Sequence, residues 1–85
     1  MIEINLLRNE INKIDRKLLE LFKQRMEISK KMGKVKKENS IPIFDPERER
    51  EIINIYTENE EILNKKYIEK FFQTLMDISK EIQSE

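Results

Sequence analysis

The sequence predicts an all-helical fold, with one long amino-terminal helix and two shorter helices in a single domain over residues 1–85. Two observations support this fold class. Apolar residues recur at alternating steps of three and four, which places them on one face of a helix. The chain also has only two prolines and one glycine, and it is rich in residues that favour helices.

The first helix is predicted from about Ile4 to Lys37, a stretch without proline in which Gly33 is the one weak helix former. Its length of about 50 Å exceeds the width of a compact domain of this size. The apolar seam therefore needs a long partner, and a second copy lying side by side is the simplest one. The seam consists of Ile4, Leu7, Ile11, Ile14, Leu18, Leu21, Ile28, Met32 and Val35.

Residues 39–44 are expected to form a loop or an extended connection. Pro42 has no amide hydrogen, and it disfavours helical backbone at the preceding residue. A second helix then begins after Asp45, which is a good N-cap, with Pro46 at the first helical position. This helix is predicted to end near Thr57.

A polar break at residues 58–61 separates the second helix from a third. The third helix is predicted from a stripe of residues at helical spacing, in which one serine interrupts the apolar pattern. The stripe consists of Ile68, Phe72, Leu75, Ser79 and Ile82.

The composition excludes several classes of function. With 17 basic and 17 acidic residues the net charge is zero, so no general attraction for nucleic acid or an anionic membrane is expected. The absence of cysteine and histidine excludes disulfides, thiol catalysis and histidine metal sites. No apolar run approaches the roughly 20 residues of a membrane span, and the amino terminus lacks a signal pattern, so a cytoplasmic location is expected.

Arg25 occupies a seam position where an apolar residue is due. A guanidinium there keeps its charge and costs on the order of several kcal/mol unless anionic groups meet its donors. The spacing leaves two explanations equally open. One is an internal salt bridge, with Glu20 or Glu27 as near candidates, and the other is an anionic ligand.

Two other cations of the first helix are compared with Arg25. Lys36 follows Arg25 by 11 residues on the same face, about 16 Å along the axis, so both side chains can reach one ligand of metabolite size. Arg8 precedes Arg25 by 17 residues, or about 25 Å, and cannot reach the same small ligand within its own chain. Taken alone, Lys36 is more often a solvated helix residue than a ligand contact.

Polar residues also mark the other two helices. Asp45, Arg48 and Glu49 lie on one side of the second helix, and Ser79 and Gln83 are one turn apart on the third. Taken singly, the charged residues are ordinarily solvated, and the serine is ordinarily bonded to its own helix backbone. Spacing alone does not decide between these explanations and a ligand site.

Together these positions resemble the all-helical class of chorismate mutases, which convert chorismate to prephenate on the route to phenylalanine and tyrosine. The likeness covers nearly the whole chain. Its segments are residues 7–25 (LRNEINKIDRKLLELFKQR, resembling L-R-x-x-I-x-x-I/L-D-x-x-L-L-x-L-L-x-x-R), 33–36 (GKVK, resembling G-K-x-K), 42–50 (PIFDPERER, resembling P-V-x-D-x-x-R-E), 67–73, and the spacing from Ser79 to Gln83.

The resemblance implies an intertwined homodimer with two active sites, each completed by an arginine from the first helix of the other subunit. That arginine is Arg8, which explains its distance from Arg25. The implied reaction is a rearrangement of a single substrate, chorismate, and it requires no metal or cofactor.

The resemblance also assigns a role to each candidate residue. The two substrate carboxylates are held by Arg25 and by the partner subunit's Arg8. Arg48 and Ser79 assist them. The ether oxygen accepts hydrogen bonds from Lys36 and Gln83. The ring hydroxyl is met by Glu49, which also orients Lys36, and by Asp45.

Two other functions remain open at this point. A pyruvate lyase acting on isochorismate is similar in fold and substrate shape. A helical dimerisation module without activity would instead use Arg25, Arg48 and Lys36 in internal ion pairs. A monofunctional enzyme and the first part of a longer bifunctional chain are both compatible with the sequence.

Overall fold

The computed structural model describes all 85 residues and contains three α-helices and no strand. Helix α1 spans Ile2–Glu38, α2 spans Pro46–Thr57 and α3 spans Lys65–Gln83. The predicted fold class is therefore confirmed. The predicted limits of the first two helices differ from the observed ones by at most two residues.

Helix α1 ends in a turn that satisfies its last carbonyl groups. The amide of Ser40 donates to the Lys37 carbonyl at 3.4 Å, and the amide of Ile41 donates to the Lys36 carbonyl at 2.8 Å. Ser40 has a φ of 55°, the left-handed conformation that this pair of bonds requires. The turn ends the helix ahead of Pro42, as the sequence predicts.

Side-chain caps start the other two helices. The Asp45 carboxylate accepts from the Arg48 amide at 3.0 Å, which confirms it as the N-cap of α2, and Asn64 accepts from the Lys66 amide at 3.0 Å at the start of α3. Between the two helices, the Glu60 carboxylate accepts from the amides of Ile62 and Leu63. Those backbone hydrogen bonds lower the pKa of Glu60, and the bond from Leu63 has the larger effect.

Helix α3 packs against both other helices, which do not pack on each other. Residues 29 and 33 of α1 meet residues 79 and 83 of α3, so these two helices run parallel. Tyr56 near the end of α2 stacks on Phe72 of α3, with ring centroids 4.4 Å apart, while Glu49 near the start of α2 meets Lys80, eight residues further along α3. Helices α2 and α3 are therefore antiparallel.

The closest approach of α1 and α3 is at Gly33. A Cβ atom placed there would lie 2.7 Å from both the Cα and the carbonyl oxygen of Gln83. Because both are backbone atoms, they cannot move aside without moving the end of α3. Gly33 is buried within an unbroken helix, so its lack of a side chain serves this contact rather than a turn.

The amino-terminal half of α1 has no partner within the chain. Its seam side chains are exposed, for example Leu7 at 58% and Ile14 at 58%, and the only buried hydrophobic residues of the chain are Met26 and Met76. The radius of gyration is 16.3 Å, against about 12 Å for a compact domain of this length. No helix combines the length and apolar character that a membrane span requires.

The close contact at Gly33 predicts that Gly33→Ala destabilises the protein. Alanine favours a helix by about 1 kcal/mol over glycine, but overpacking against a rigid neighbour costs about 1–3 kcal/mol, so we expect a net loss. Urea unfolding at fixed protein concentration measures the difference.

The control for this variant is Lys34→Ala, which changes an exposed neighbour in the same helix. Its unfolding midpoint should match that of the wild type or lie slightly above it. A Gly33→Ala protein at least as stable as the wild type would show that α3 accommodates the methyl group without strain.

Candidate active site

Three segments of the chain enclose a cavity of about 290 Å³. One wall comes from the second half of α1, another from α3, and a third from residues 43–52, which run from the connection into α2. Seven of the eight predicted site residues line it. These are Arg25, Lys36, Asp45, Arg48, Glu49, Ser79 and Gln83.

Two buried serines join α1 and α3 at the cavity. The hydroxyl oxygens of Ser29 and Ser79 lie 2.6 Å apart and share a hydrogen bond. The Gln83 side-chain amide donates to the Ser79 hydroxyl at 3.0 Å. Ser79 therefore bonds across to α1 and along α3, and not to its own helix backbone as its isolated position suggests.

Gln83 presents an unsatisfied group in this cavity. Its side-chain carbonyl oxygen is buried and has no hydrogen-bond partner. A buried polar atom without a partner costs about 1–3 kcal/mol, and native structures contain few of them. The NH₂ group of the same amide carries a second N–H beside the one donated to Ser79, and Gln83 lines the cavity.

Lys36 is held at the cavity by the connection after α1. Its ammonium group donates to the carbonyl oxygen of Ile43 at 2.9 Å, and the side chain is half-buried. An ammonium group carries three N–H donors, so two remain for another acceptor. The turn at residues 39–41 and the bend before α2 bring this carbonyl back over the end of α1.

Arg25 makes no ion pair with any carboxylate of the chain. The internal salt bridge with Glu20 or Glu27, which the spacing left open, is thus absent. The half-buried guanidinium lines the cavity, in which its charge is available to an anion.

Arg48 and Asp45 have partners of their own at the start of α2. The Arg48 guanidinium pairs with Glu51 at 2.8 Å, with both side chains more than half exposed. A pair so exposed contributes about 0–1 kcal/mol, so a ligand can displace Glu51 at little cost. The Asp45 carboxylate caps the helix while it lines the cavity.

Glu49 is bound at both carboxylate oxygens by residues of α3. Its Oε2 lies 2.9 Å from the Lys80 ammonium group, and its Oε1 accepts from the Gln73 amide at 3.1 Å. The expected contact in which Glu49 orients Lys36 is not formed, because Lys36 bonds to the Ile43 carbonyl instead.

Arg8 lies outside the cavity, as its distance along α1 requires. The side chain is exposed and makes no ion pair. The structure of one chain therefore brings together the seven residues from residue 25 onward and leaves Arg8 apart.

Three groups at the cavity lie beyond the predicted set: the Ser29 hydroxyl, the Ile43 carbonyl and the Lys80 ammonium group. Ser29 shares a helix face with Arg25 and Lys36, so its position was available from the sequence, although its bond to Ser79 was not. The spacing of Lys80 from Asp77 indicates an ordinary pair within one helix. No local pattern indicates that Lys80 reaches α2.

The charges around the cavity favour a small dianion. Four cations and two carboxylates line it, which leaves an excess of two positive charges in a chain whose net charge is zero. The cations are Arg25, Lys36, Arg48 and Lys80, and the carboxylates are Asp45 and Glu49.

Known proteins resemble this chain in sequence and in fold. The family model described as chorismate mutase type II matches residues 7–84. The chorismate mutase of Methanocaldococcus jannaschii is 32% identical over 81 residues, which cover 93% of this chain and 82% of that protein. A chorismate mutase (form II) structure from Thermus thermophilus superposes with a TM-score of 0.91 at 25% identity, covering 96% of this chain and 94% of that one.

Other curated relatives are much longer proteins. A bifunctional chorismate mutase/prephenate dehydratase of Aquifex aeolicus is 44% identical over 52 residues, which are 61% of this chain and 14% of that protein. The chain spans between 11% and 20% of the length of four such relatives. The family model and the Methanocaldococcus protein are nevertheless matched over most of the chain, and the chain belongs to the chorismate mutase type II family.

Proposed function

We propose that the chain catalyses the rearrangement of chorismate to prephenate. The observation that carries this proposal is the convergence of Arg25, Lys36 and Gln83 from two helices on one cavity with an excess of positive charge. Chorismate carries two carboxylates, so its charge matches that excess. The reaction breaks one C–O bond and forms one C–C bond within a single molecule, and it requires no nucleophile.

Catalysis of this reaction has two physical requirements. The flexible enolpyruvyl side chain must be folded over the ring, and the negative charge that grows on the ether oxygen must be stabilised. In our proposal Arg25, Arg48 and Ser79 hold the carboxylates, which fixes the reactive conformation. The exposed Arg48–Glu51 pair opens when the substrate carboxylate replaces Glu51.

Lys36 and Gln83 would donate hydrogen bonds to the ether oxygen. Lys36 suits this role because the Ile43 carbonyl holds its ammonium group and leaves two donors free. Donors that are already in place when charge develops stabilise the transition state more than the ground state. Glu49, with Asp45 beside it, would accept from the ring hydroxyl.

We also propose that the active form is a homodimer in which Arg8 completes the partner's site. The exposed seam in the first half of α1 supports this, because a second copy would bury it. A dimer would also bring in a further cation, which Arg8 cannot supply to its own site from about 25 Å away along the helix.

A direct assay tests the proposed activity. The purified protein should remove chorismate, followed by its absorbance, with prephenate confirmed as the product. In the same assay Lys36→Ala should lower kcat roughly 100- to 1000-fold, since it removes one preorganised donor to the developing charge.

The matched control is Lys37→Ala, the same change at an exposed neighbour outside the cavity, and it should retain wild-type activity. Isochorismate serves as a second substrate. Release of pyruvate from isochorismate without turnover of chorismate would assign the site to a lyase. Turnover of neither substrate would leave a helical module without catalysis.

The pH dependence tests the role of Gln83. An amide donates hydrogen bonds at any pH, whereas a carboxyl group donates only when protonated. The wild-type kcat should therefore stay level as the pH falls from 8 to 5, and Gln83→Glu should gain activity over that range as its carboxyl group becomes protonated. A wild-type kcat that climbs steeply at acidic pH would contradict this role.

Mixing inactive variants tests the shared site. Arg8→Ala and Arg25→Ala proteins should each be nearly inactive. After subunit exchange, half of the dimers are mixed and each has one intact site, so activity should return to about a quarter of that of the wild type. The variants mixed without exchange serve as the control, and no recovery after confirmed exchange would place the whole site within one chain.

A further inference from the structure

Lys80 is the one cation at the cavity without a role in the proposed reaction. Its ammonium group lies 2.9 Å from Glu49 Oε2, 3.3 Å from Asp77 Oδ1 and 4.8 Å from the centre of the Phe44 ring. The contacts thus reach α2, the helix α3 that carries Lys80, and the connection before α2. No other side chain of the cavity joins these three segments.

Glu49 depends on α3 for its position. Lys80 binds one of its carboxylate oxygens and Gln73 binds the other, and Gln73 also donates to Asp77 at 3.0 Å. Only 17% of the Glu49 side chain is exposed, so its charge has lost most of its water and needs these partners. Lys80 is the only cation among them.

The Lys80–Glu49 pair differs from the other ion pairs of the chain. Arg48 and Glu51 are each more than half exposed, whereas Lys80 is 29% exposed and Glu49 17%. It is also the only pair that joins two helices, since the other two lie within one helix at a spacing of three. The hydrogen bond with Glu49 is the largest of the effects that raise the pKa of Lys80.

We propose that Lys80 is a positioning residue, which holds the Glu49 carboxylate at the cavity and acts on the reaction through it. Its ammonium group lies between the Glu49 and Asp77 carboxylates and over the Phe44 ring, so its charge is directed to Glu49 rather than to a substrate. The proposal rests on the proposed function, since it concerns the carboxylate assigned to the ring hydroxyl.

A double-mutant cycle tests this role. Lys80→Met keeps an unbranched side chain as far as Cε and removes the ammonium group, and we expect kcat/KM to fall about tenfold or more as Glu49 loses its orientation. In a Glu49→Gln background the same change should alter kcat/KM less than about twofold, because the group that Lys80 positions is no longer a carboxylate. Lys80→Arg, which keeps a charged donor, should recover most of the activity.

The matched control is Lys70→Met, the same substitution at an exposed position of α3, which should leave kcat/KM unchanged. Equal losses from Lys80→Met in both backgrounds would overturn the proposal, since Lys80 would then act on substrate or on the fold independently of Glu49. A loss of unfolding stability without any change in kcat/KM would also overturn it and leave a structural ion pair.

A crystal structure of Lys80→Met separates this proposal from the proposed function. The Glu49 carboxylate should leave its place at the cavity or lose its bond to Gln73. A carboxylate unmoved in the variant would overturn the positioning role even if the wild type turns over chorismate. A carboxylate displaced in Lys80→Met, together with a wild type that does not turn over chorismate, would support the positioning of Glu49 while refuting the reaction.

Discussion

The parallel contact between the second half of α1 and α3 determines how the cavity groups of these two helices lie relative to one another. The two helices meet closely because Gly33 has no side chain and because the small hydroxyls of Ser29 and Ser79 face each other at 2.6 Å. Larger residues at these positions would separate the helices. The side chains of Arg25, Lys36 and Gln83 could then no longer line a common cavity.

Buried polar groups form part of this contact between α1 and α3. A chain with only two buried hydrophobic residues has little apolar burial to offset buried polar groups. The serine pair satisfies itself, whereas the buried carbonyl oxygen of Gln83 remains without a partner. The apolar seam of α1 is exposed in the single chain, so its burial does not contribute to the stability of that chain. In the proposed dimer, folding and completion of the site would depend on the same helix.

Charge is organised on the other side of the cavity by α3. Lys80 and Gln73 both bind Glu49. They also donate hydrogen bonds to Asp77, which lower the pKa of Asp77, and the bond from Gln73 has the larger effect. This network ties α2 to α3, while Lys36 and the Ile43 carbonyl tie the preceding connection to α1. Two separate sets of polar contacts therefore close the cavity around an excess of positive charge.

The helices and the Asp45 cap could be predicted from the sequence, because helical periodicity and caps are local properties. The same spacing placed the seven cavity residues from Arg25 to Gln83 on helix faces, but the family resemblance grouped them into one site. The resemblance added their roles, which remain predictions. Only the tertiary structure decided which atoms meet: that Arg25 has no internal carboxylate, that Lys36 bonds to Ile43 rather than Glu49, and that Lys80 reaches across to α2. The physical reason is that a helical pattern defines the face on which a residue lies, whereas its contact across helices depends on their separation and register.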